Sequence, residues 1–359
     1  MSLKQHSGAL SNRHERTPMP TTMKAIRVHR FGGPEVLRYE TVPMPELAPG
    51  EVLIRVHAVG VNPPDWYLRD GYARQELPPD MRPVITLPAI PGSDVSGVVA
   101  AVAPDIADTA DIAVGDEVFG MIRFPSFGDS AAYAEYVAAP VTDLARKPAG
   151  IDHLHAAAAP MSGLTAWQFL LELGHETPNP LQPQAHRPVP LAGATVLVNG
   201  AAGGVGHLAV QLAKARGAHV IAVASGRHTD FLRELGADEV IDYTERTPED
   251  AVAGLDLVLD TVGGPATGRF LRSLRRGGAL FPVFPGFSDT AEAAARGVTV
   301  SMTQVRSNGA QLAELGRALD DGTVRIALDS TFGLAEARAA HERAEQGHLR
   351  GKIALSVLG

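Results

Sequence analysis

The sequence predicts an α/β protein of two units: a strand-rich one, then a parallel sheet covered by helices on both faces. Three observations carry this. Up to about residue 145, short stretches alternate apolar and polar residues and end in glycine or asparagine, as half-buried strands do. From Ala194 onward, continuous apolar stretches alternate with helical ones, the pattern of a sheet buried on both sides. The first strand and helix of this second unit are joined by a glycine run between Val198 and His207.

In chain order, the first 22 residues are polar and lack an apolar core of signal-peptide length, so they read as a mobile tail rather than a cleavable export signal. "MKAIRVHRFG" and "EVLIRVHAVGVN" read as strands, and the "PMPELAPG" between them as a turn-rich connector. "GSDVSGVVAAVA" and "VGDEVFGMI" continue the short strands. The pattern turns helical at "HAAAAPMSGLTAWQFLLEL", and the proline-rich 174–191 that follows reads as an exposed loop. It would border either a cleft or a subunit surface. "TVLVNG", "HVIAVAS", "EVIDY", "LDLVLDTVG" and "ALFPVFPG" read as strands, with "HLAVQLAKARG", "TDFLRELG" and "ATGRFLRSLRRGG" as helices between them. The tail, from "GAQLAELGRALDDG" to "GKIALSVLG", returns to mixed helix and strand.

Composition narrows the function. With 45% hydrophobic and 20% charged residues, the chain has the make-up of a soluble globular protein. Lysine and arginine total 32 against 40 acidic residues, a net charge of −8, which argues against a general nucleic-acid or membrane-surface binder. No stretch reaches membrane-span length, and a cytoplasmic location is the expectation. Cysteine is absent, which excludes disulfides, thiolate nucleophiles and cysteine-based zinc sites.

Gly200, Gly203 and Gly206 space the turn as G-x-x-G-x-x-G after a strand and before a helix. Glycines let a backbone approach a pyrophosphate, and a helix N-terminus offers unpaired N–H groups to the anion. The competing reading is an ordinary tight turn; the strand–helix–strand context favours dinucleotide binding. An NAD-type site ends its second strand on a carboxylate that accepts from the ribose 2′-hydroxyl. Here that strand ends "VASGRH", placing Ser225 and Arg227 there. A hydroxyl and a guanidinium suit a 2′-phosphate, so the expected coenzyme is NADPH.

These stretches resemble the medium-chain dehydrogenase/reductase superfamily, in its zinc-free quinone oxidoreductase branch (zeta-crystallin-like). The matching segments are "MKAIRVHRFGGPEVLRYE", "GEVLIRVHAVGVNPPDWYLRDGY", "PGSDVSGVV", "VGDEVFG", "SGLTAW", "NGAAGGVG", "LGADEVIDYTE" and "RGKIAL", in order over nearly all of residues 23–359. The resemblance implies a flexible arm over 1–22, a GroES-like catalytic domain over 23–145, a Rossmann domain over 146–304 and a C-terminal segment, 305–359, that completes the catalytic domain. It also implies a cofactor cleft between domains and a homodimer joined edge to edge through "ALFPVFPGF" and "GVTVSMTQV". Zinc-dependent relatives place a cysteine at the position of Asn62 and Gly-His-Glu near "PGSD"; this chain has Asn62 and Gly92-Ser93-Asp94. Without a Lewis acid, alcohol oxidation loses its means of stabilising an alkoxide. The expected reaction is therefore hydride transfer from NADPH to a quinone or another conjugated carbonyl. The alternatives are an enoyl-thioester reductase of fatty-acid or polyketide metabolism and a protein that binds NADPH without turnover.

For catalysis the candidates are Asn62, Tyr67 and Tyr72. The resemblance points Asn62 and Tyr67 to the nicotinamide end and Tyr72 to the place of a proton-donating tyrosine; otherwise Asn62 caps the turn before Pro63-Pro64, Tyr67 packs the wall and water delivers the proton. Asp65 reads as a turn acceptor, Trp66 as a packed aromatic, and His57 is given no role. For coenzyme binding the candidates are Thr165, the turn residues Gly200, Ala202, Gly203, Gly204, Val205 and Gly206, then Ser225, Arg227, Tyr243, Val262, Phe284 and Lys352. Thr165 is otherwise a helix-start hydroxyl, Tyr243 a surface ring and Lys352 a solvated side chain. Val262 and Phe284 sit at strand ends, where ligands of open parallel sheets collect.

Overall fold

In the computed structural model, residues 20–73, 83–126, 128–176 and 186–358 are described. Most of the N-terminal arm and the centre of the 174–191 loop lie outside these residues. The strand-rich unit runs through β1 (Thr22–Val28), β2 (Leu37–Pro43), β3 (Glu51–Val61), α1 (Pro63–Asp70), β4 (Asp94–Val102), β5 (Glu117–Met121), β6 (Tyr136–Pro140) and β7 (Leu144–Arg146). Then follow α2 (His153–Ala158), α3 (Pro160–Leu170), β8 (Thr195–Asn199), α4 (Gly204–Ala215), β9 (His219–Ala224), α5 (Thr229–Glu234), β10 (Glu239–Asp242), α6 (Pro248–Ala251), β11 (Leu255–Asp260), β12 (Leu274–Pro282), α7 (Thr290–Arg296) and β13 (Thr299–Val300). The chain closes with α8 (Gly309–Asp320), β14 (Leu328–Gly333), α9 (Ala337–Glu345) and β15 (Lys352–Ser356).

β8 to β13 form one six-stranded sheet in the order β10-β9-β8-β11-β12-β13, parallel throughout. This is the doubly wound order, with its topological switch between β8 and β11. Successive residues of β8 serve opposite faces: Val196 and Val198 pack into the cluster shared with α3, α4 and α8, and Leu197 into the one that holds Phe270, Leu271 and Ala293. That two-sided burial is why these strands read as unbroken apolar runs.

The other large sheet is β14-β15-β3-β4-β5-β7, with β6 also on β3. β15 pairs antiparallel with β3, Ile353 opposite Val61, so the last strand of the chain is stitched into the first unit. Gln211 and His207 of α4 hold this returning segment. Gln211 exchanges hydrogen bonds with the backbone of Arg325, and His207 Nε2 accepts from the Ala327 N–H. The fold is therefore the expected α/β pairing of a GroES-like β-domain with a Rossmann parallel sheet.

One stretch departs from the sequence reading. "ATGRFLRSLRRGG" is not an α-helix: a 3₁₀ segment covers Pro265–Arg272, and β12 already begins at Leu274. Gly268 sits so close to Asp289 that an added Cβ would lie 1.6 Å from its carboxylate, so the backbone is packed against the next loop rather than carrying a free helical face. The arginine-rich residues before Gly277 are exposed strand, their polar character following from solvent contact.

Candidate functional site

A cleft of about 790 Å³ runs outside the carboxyl ends of the parallel strands, bounded on its far side by the end of β3, the start of α1 and the start of β15. Crevices of this kind, at the switch point of an open parallel sheet, are where ligands bind.

The glycine turn forms its floor. Gly200 has φ +73, a left-handed conformation that favours glycine. Gly206 is needed for a different reason: a Cβ there would stand 2.2 Å from the Gly200 carbonyl oxygen, so α4 seats on the turn only with glycine. Gly203 and Gly204 line the cleft, with Ala202 and Val205 beside them, and α4 starts at Gly204 with its N-terminal N–H groups at the floor. His207 Nδ1–H donates to the Gly203 carbonyl at 2.9 Å. Burial holds its imidazole neutral, down to about 4. This histidine ties the turn to the C-terminal segment and has no motif that announces it.

The strand ends beyond the turn are organised by Asp260. Its carboxylate accepts from Asn199 Nδ2, from the N–H groups of Val262 and Gly263, and from the Thr267 hydroxyl. Val262, 61% exposed, projects from this rigid turn into the cleft.

At one end of the cleft stand Ser225, His228, Tyr243 and His348. Arg227 is exposed beside them and donates to the His348 carbonyl at 2.9 Å and to His228 Nε2 at 3.1 Å. Burial, then the neighbouring Arg227 and Arg350 charges, lower the His228 pKa. Asp242 also reaches this end, where it accepts from the Gly226 N–H.

At the other end Val61, Pro63 and Trp66 face the cleft, with Ser162 opposite. The Trp66 ring lies 6.0 Å from Tyr67, which in turn meets Tyr72 at 5.9 Å and Phe284 at 6.3 Å. These aromatics join α1 to the end of β12 beside the cleft, and only Trp66 of the four lines the cavity itself. Tyr72 has φ +59, and burial followed by the nearby Asp65 raises its hydroxyl pKa. Thr165 is buried in α3 with its hydroxyl donating to the Met161 carbonyl at 2.6 Å; Ser162, one turn earlier in the same helix, lines the cavity instead.

Behind this wall lies a buried polar cluster. Lys352 is 4% exposed and lines the cleft; its Nζ donates to the Val61 carbonyl at 2.9 Å and to Asn62 Oδ1. Asn62 Nδ2 donates to Asp94 at 2.9 Å, and Asp94 also accepts the Met161 N–H. Asp65 caps α1 by accepting the Asn62 N–H at 2.7 Å and the Tyr133 hydroxyl at 3.1 Å. His341 stands 3.2 Å from that hydroxyl and accepts from Arg69 on its other nitrogen. Because a guanidinium only donates, His341 Nδ1 is the acceptor and Nε2 carries the proton. Burial pushes Asp65 up to about 7 and Asp94 up to about 6, and pulls Lys352 down against the opposing pull of both carboxylates.

Of the residues singled out from sequence, Gly200, Ala202, Gly203, Gly204, Val205, Ser225, Tyr243, Val262 and Lys352 thus share one cleft. Asn62, Gly206 and Arg227 brace it, Tyr67, Tyr72 and Phe284 stand at its side, and Thr165 lies one helical turn from Ser162. Lys352 is buried, not solvated. Sequence reasoning missed Ser162 and His228, although each lies in a stretch it singled out, "SGLTAW" and "VASGRH", and His348, which lies in none; it gave Trp66 a packing role alone.

The first unit matches the model of the alcohol dehydrogenase GroES-like domain over residues 48–149, and residues 235–355 match that of a zinc-binding dehydrogenase. A mouse mitochondrial NAD(P)H oxidoreductase, RTN4IP1, is 32% identical over 94% of this chain and 90% of its own length. The chloroplastic quinone-oxidoreductase QR1 of Triphysaria versicolor is 31% identical over 92% and 97%. Among solved structures, the quinone oxidoreductase from Coxiella burnetii superposes with a TM-score of 0.78 at 32% identity, over 94% of this chain and 100% of that one. The mycobacterial Rv1454c complexed with NADPH gives 0.76 at 31%, over 93% and 100%. Sequence and fold agree: the chain belongs to the medium-chain dehydrogenase/reductases, an oxidoreductase superfamily, in its quinone oxidoreductase-like family.

Proposed function

We propose that this protein is a metal-free reductase that uses NADPH to reduce a quinone or another conjugated carbonyl. The observation that carries the reading is the single cleft that joins the glycine turn and the Ser225 end to the wall of Val61, Pro63 and Trp66. The floor fits a pyrophosphate through backbone N–H groups. Ser225, Arg227, His228 and Tyr243 offer a hydroxyl, a cation and rings to a phosphorylated ribose and its base. When bound, the nicotinamide supplies a hydride; the protein's part is to hold it against the acceptor and exclude water.

The donor set does not suit a catalytic zinc. Asn62 Oδ1 is taken by an ammonium, and Asp94 is taken by the Asn62 amide and a backbone N–H. Among the described residues no three histidine or acidic side chains cluster to hold a metal. A homodimer through β13, supported by that strand's place at the sheet edge, and a cytoplasmic location belong to the same reading. Among the described residues no helix is long and apolar enough to cross a membrane.

The test is a screen of quinones and enones with NADPH and NADH side by side. Acceptor-dependent oxidation faster with NADPH is expected. Arg227→Asp should raise KM for NADPH by roughly tenfold or more, one charge-assisted contact being replaced by a repulsion, and alter that for NADH little. Because Asp242 also reaches this end of the cleft, equal rates with both coenzymes would assign the site to either nucleotide and remove the role given to Arg227.

A further inference from the structure

Lys352, a coenzyme-binding candidate on sequence grounds, stands at the wall of the cleft formed by Val61 and Pro63. An ammonium carries three N–H groups, and two of those on Lys352 have acceptors among the described residues, Val61 O and Asn62 Oδ1. Its stem passes beneath the glycine turn, since a Cβ on Gly204 would lie 3.0 Å from its Cδ. Val61 and Pro63, on either side of Asn62, both face the cavity, as does Lys352 itself. The third N–H is therefore available at the wall where an acceptor would rest. Burying a lysine is costly unless its charge is used or paired, and pairing alone would be met by Asp94 and Asp65 without a place on the cleft.

We propose that the Lys352 ammonium is a catalytic group: it receives the oxygen on which negative charge gathers as the acceptor is reduced, and gives that oxygen its proton. The inference rests on the proposed reduction of a conjugated carbonyl. The hydride would come from a C–H bond of the reduced nicotinamide, which breaks as that ring is oxidised, and the acceptor carbon takes it with both electrons in a new C–H bond. The π pair shifts through the conjugated system and settles on the carbonyl oxygen. An N–H bond of Lys352 then breaks and an O–H bond forms, leaving a neutral amine and an enol, which for a quinone becomes the hydroquinone by moving a ring C–H proton to the second carbonyl oxygen. Asn62 Oδ1 and Val61 O hold that amine in place until solvent entering the cleft returns the proton. Asn62 acts as a positioning residue, its amide bridging Lys352 and Asp94. The positive charge thus does here what a metal ion would do as a Lewis acid.

The experiment compares wild type with Lys352→Met and with the charge-balanced Lys352→Met/Asp94→Asn, which keeps a variant measurable if an unpaired Asp94 prevents folding. NADPH affinity is read by fluorescence titration, and the rate with 1,4-benzoquinone and an enone by stopped flow across pH. The expected result is a kcat lower by about 10²–10³-fold, as for loss of one oxyanion donor. The dissociation constant for NADPH stays within about threefold, which is under 1 kcal/mol, and the alkaline limb of the wild-type rate profile disappears. Methylammonium should restore part of the rate to Lys352→Ala. A folded variant that keeps its kcat, or loses only NADPH affinity, overturns the role. Wild type that binds NADPH but reduces no acceptor would instead overturn the functional reading, a result distinguishable because it appears before any variant is made.

Discussion

The two ends of the cleft are built by opposite means. The glycine floor is backbone: Gly200, Gly203, Gly204 and Gly206 lie within seven residues of chain, and their part depends on having no side chain. The opposite wall is side chain: Lys352, Asn62, Asp94, Asp65, Tyr133, His341 and Arg69 come from six separate elements and loops and meet in the interior. A floor of backbone is sensitive where an added side chain would meet backbone, as at Gly206, and less so where it would meet movable side chains, as at Gly204. A buried polar wall is sensitive at every member, because each lost partner strands another in a medium of low dielectric.

The largest effect expected from this contrast is at Arg69. Its guanidinium is fully buried and donates to the Gly32 carbonyl, to His341 and to Glu345. Arg69→Met should cost about 3–5 kcal/mol in urea unfolding, the range for breaking a buried ionic network. Arg233→Met, on a side chain 65% exposed and 3.9 Å from Asp230, should stay within about 0.5 kcal/mol. Equal costs would mean the wall is no more cooperative than the surface.

The same contrast explains what could be read from the sequence. The glycine turn was legible because local spacing and backbone geometry are one fact there. The parallel strands were legible because burial on both faces leaves an apolar run. The wall was not: nothing in the spacing of Asn62, Asp94, Tyr133, His341 and Lys352 says that they meet. Asn62 read equally as a turn cap or a site residue, and the structure places it at the N-cap of α1. Its N–H is capped by Asp65 while its side chain bridges Lys352 and Asp94. Lys352 looked like a strand-start lysine because hydrophilicity is visible in a sequence and burial is not. The arginine-rich run before Gly277 misled in the reverse direction, its helical spacing being overridden by close packing at Gly268 and by pairing with β11.

Two alanine substitutions sharpen the floor itself. Gly206→Ala places a Cβ against the backbone of Gly200 and Ala201, at 2.2 and 2.7 Å. Neither can rotate away, so a loss of about 3 kcal/mol is expected, the upper range for overpacking. Gly204→Ala meets instead the Lys352 stem at 3.0 Å and the Ser162 hydroxyl at 3.1 Å, both able to shift. Its stability should change by less than about 1 kcal/mol, helped by the helix preference for alanine, while affinity for NADPH falls because the methyl stands beside the cleft. Calorimetric unfolding and coenzyme titration of both variants separate the outcomes. If Gly206→Ala unfolds like wild type, the turn is looser than its close contacts imply.

The smallest effect is a pH dependence, and it probes the wall alone. Burial raises the Asp65 carboxyl from its ordinary value of 3.8 to about 7. Between those values the folded protein holds a proton that the unfolded chain has released, so ν_N exceeds ν_U and stability falls as pH rises. Below the ordinary value both states are protonated, and above about 7 both are charged, so the slope is confined to that window. Asp65→Asn carries no such titration. Asp94, raised for the same reason, and His341, lowered to about 3 by burial and then by Arg69, titrate in both proteins and largely cancel from the difference. The variant should therefore gain on wild type as pH rises from 5.5 to 7, by on the order of 1 kcal/mol, read as diverging urea midpoints. Parallel midpoints would mean that Asp65 is already ionised in the folded state, its charge held by the Asn62 N–H and the Tyr133 hydroxyl strongly enough to offset burial. The wall would then be a preformed anion site facing Lys352, not a shared-proton cluster.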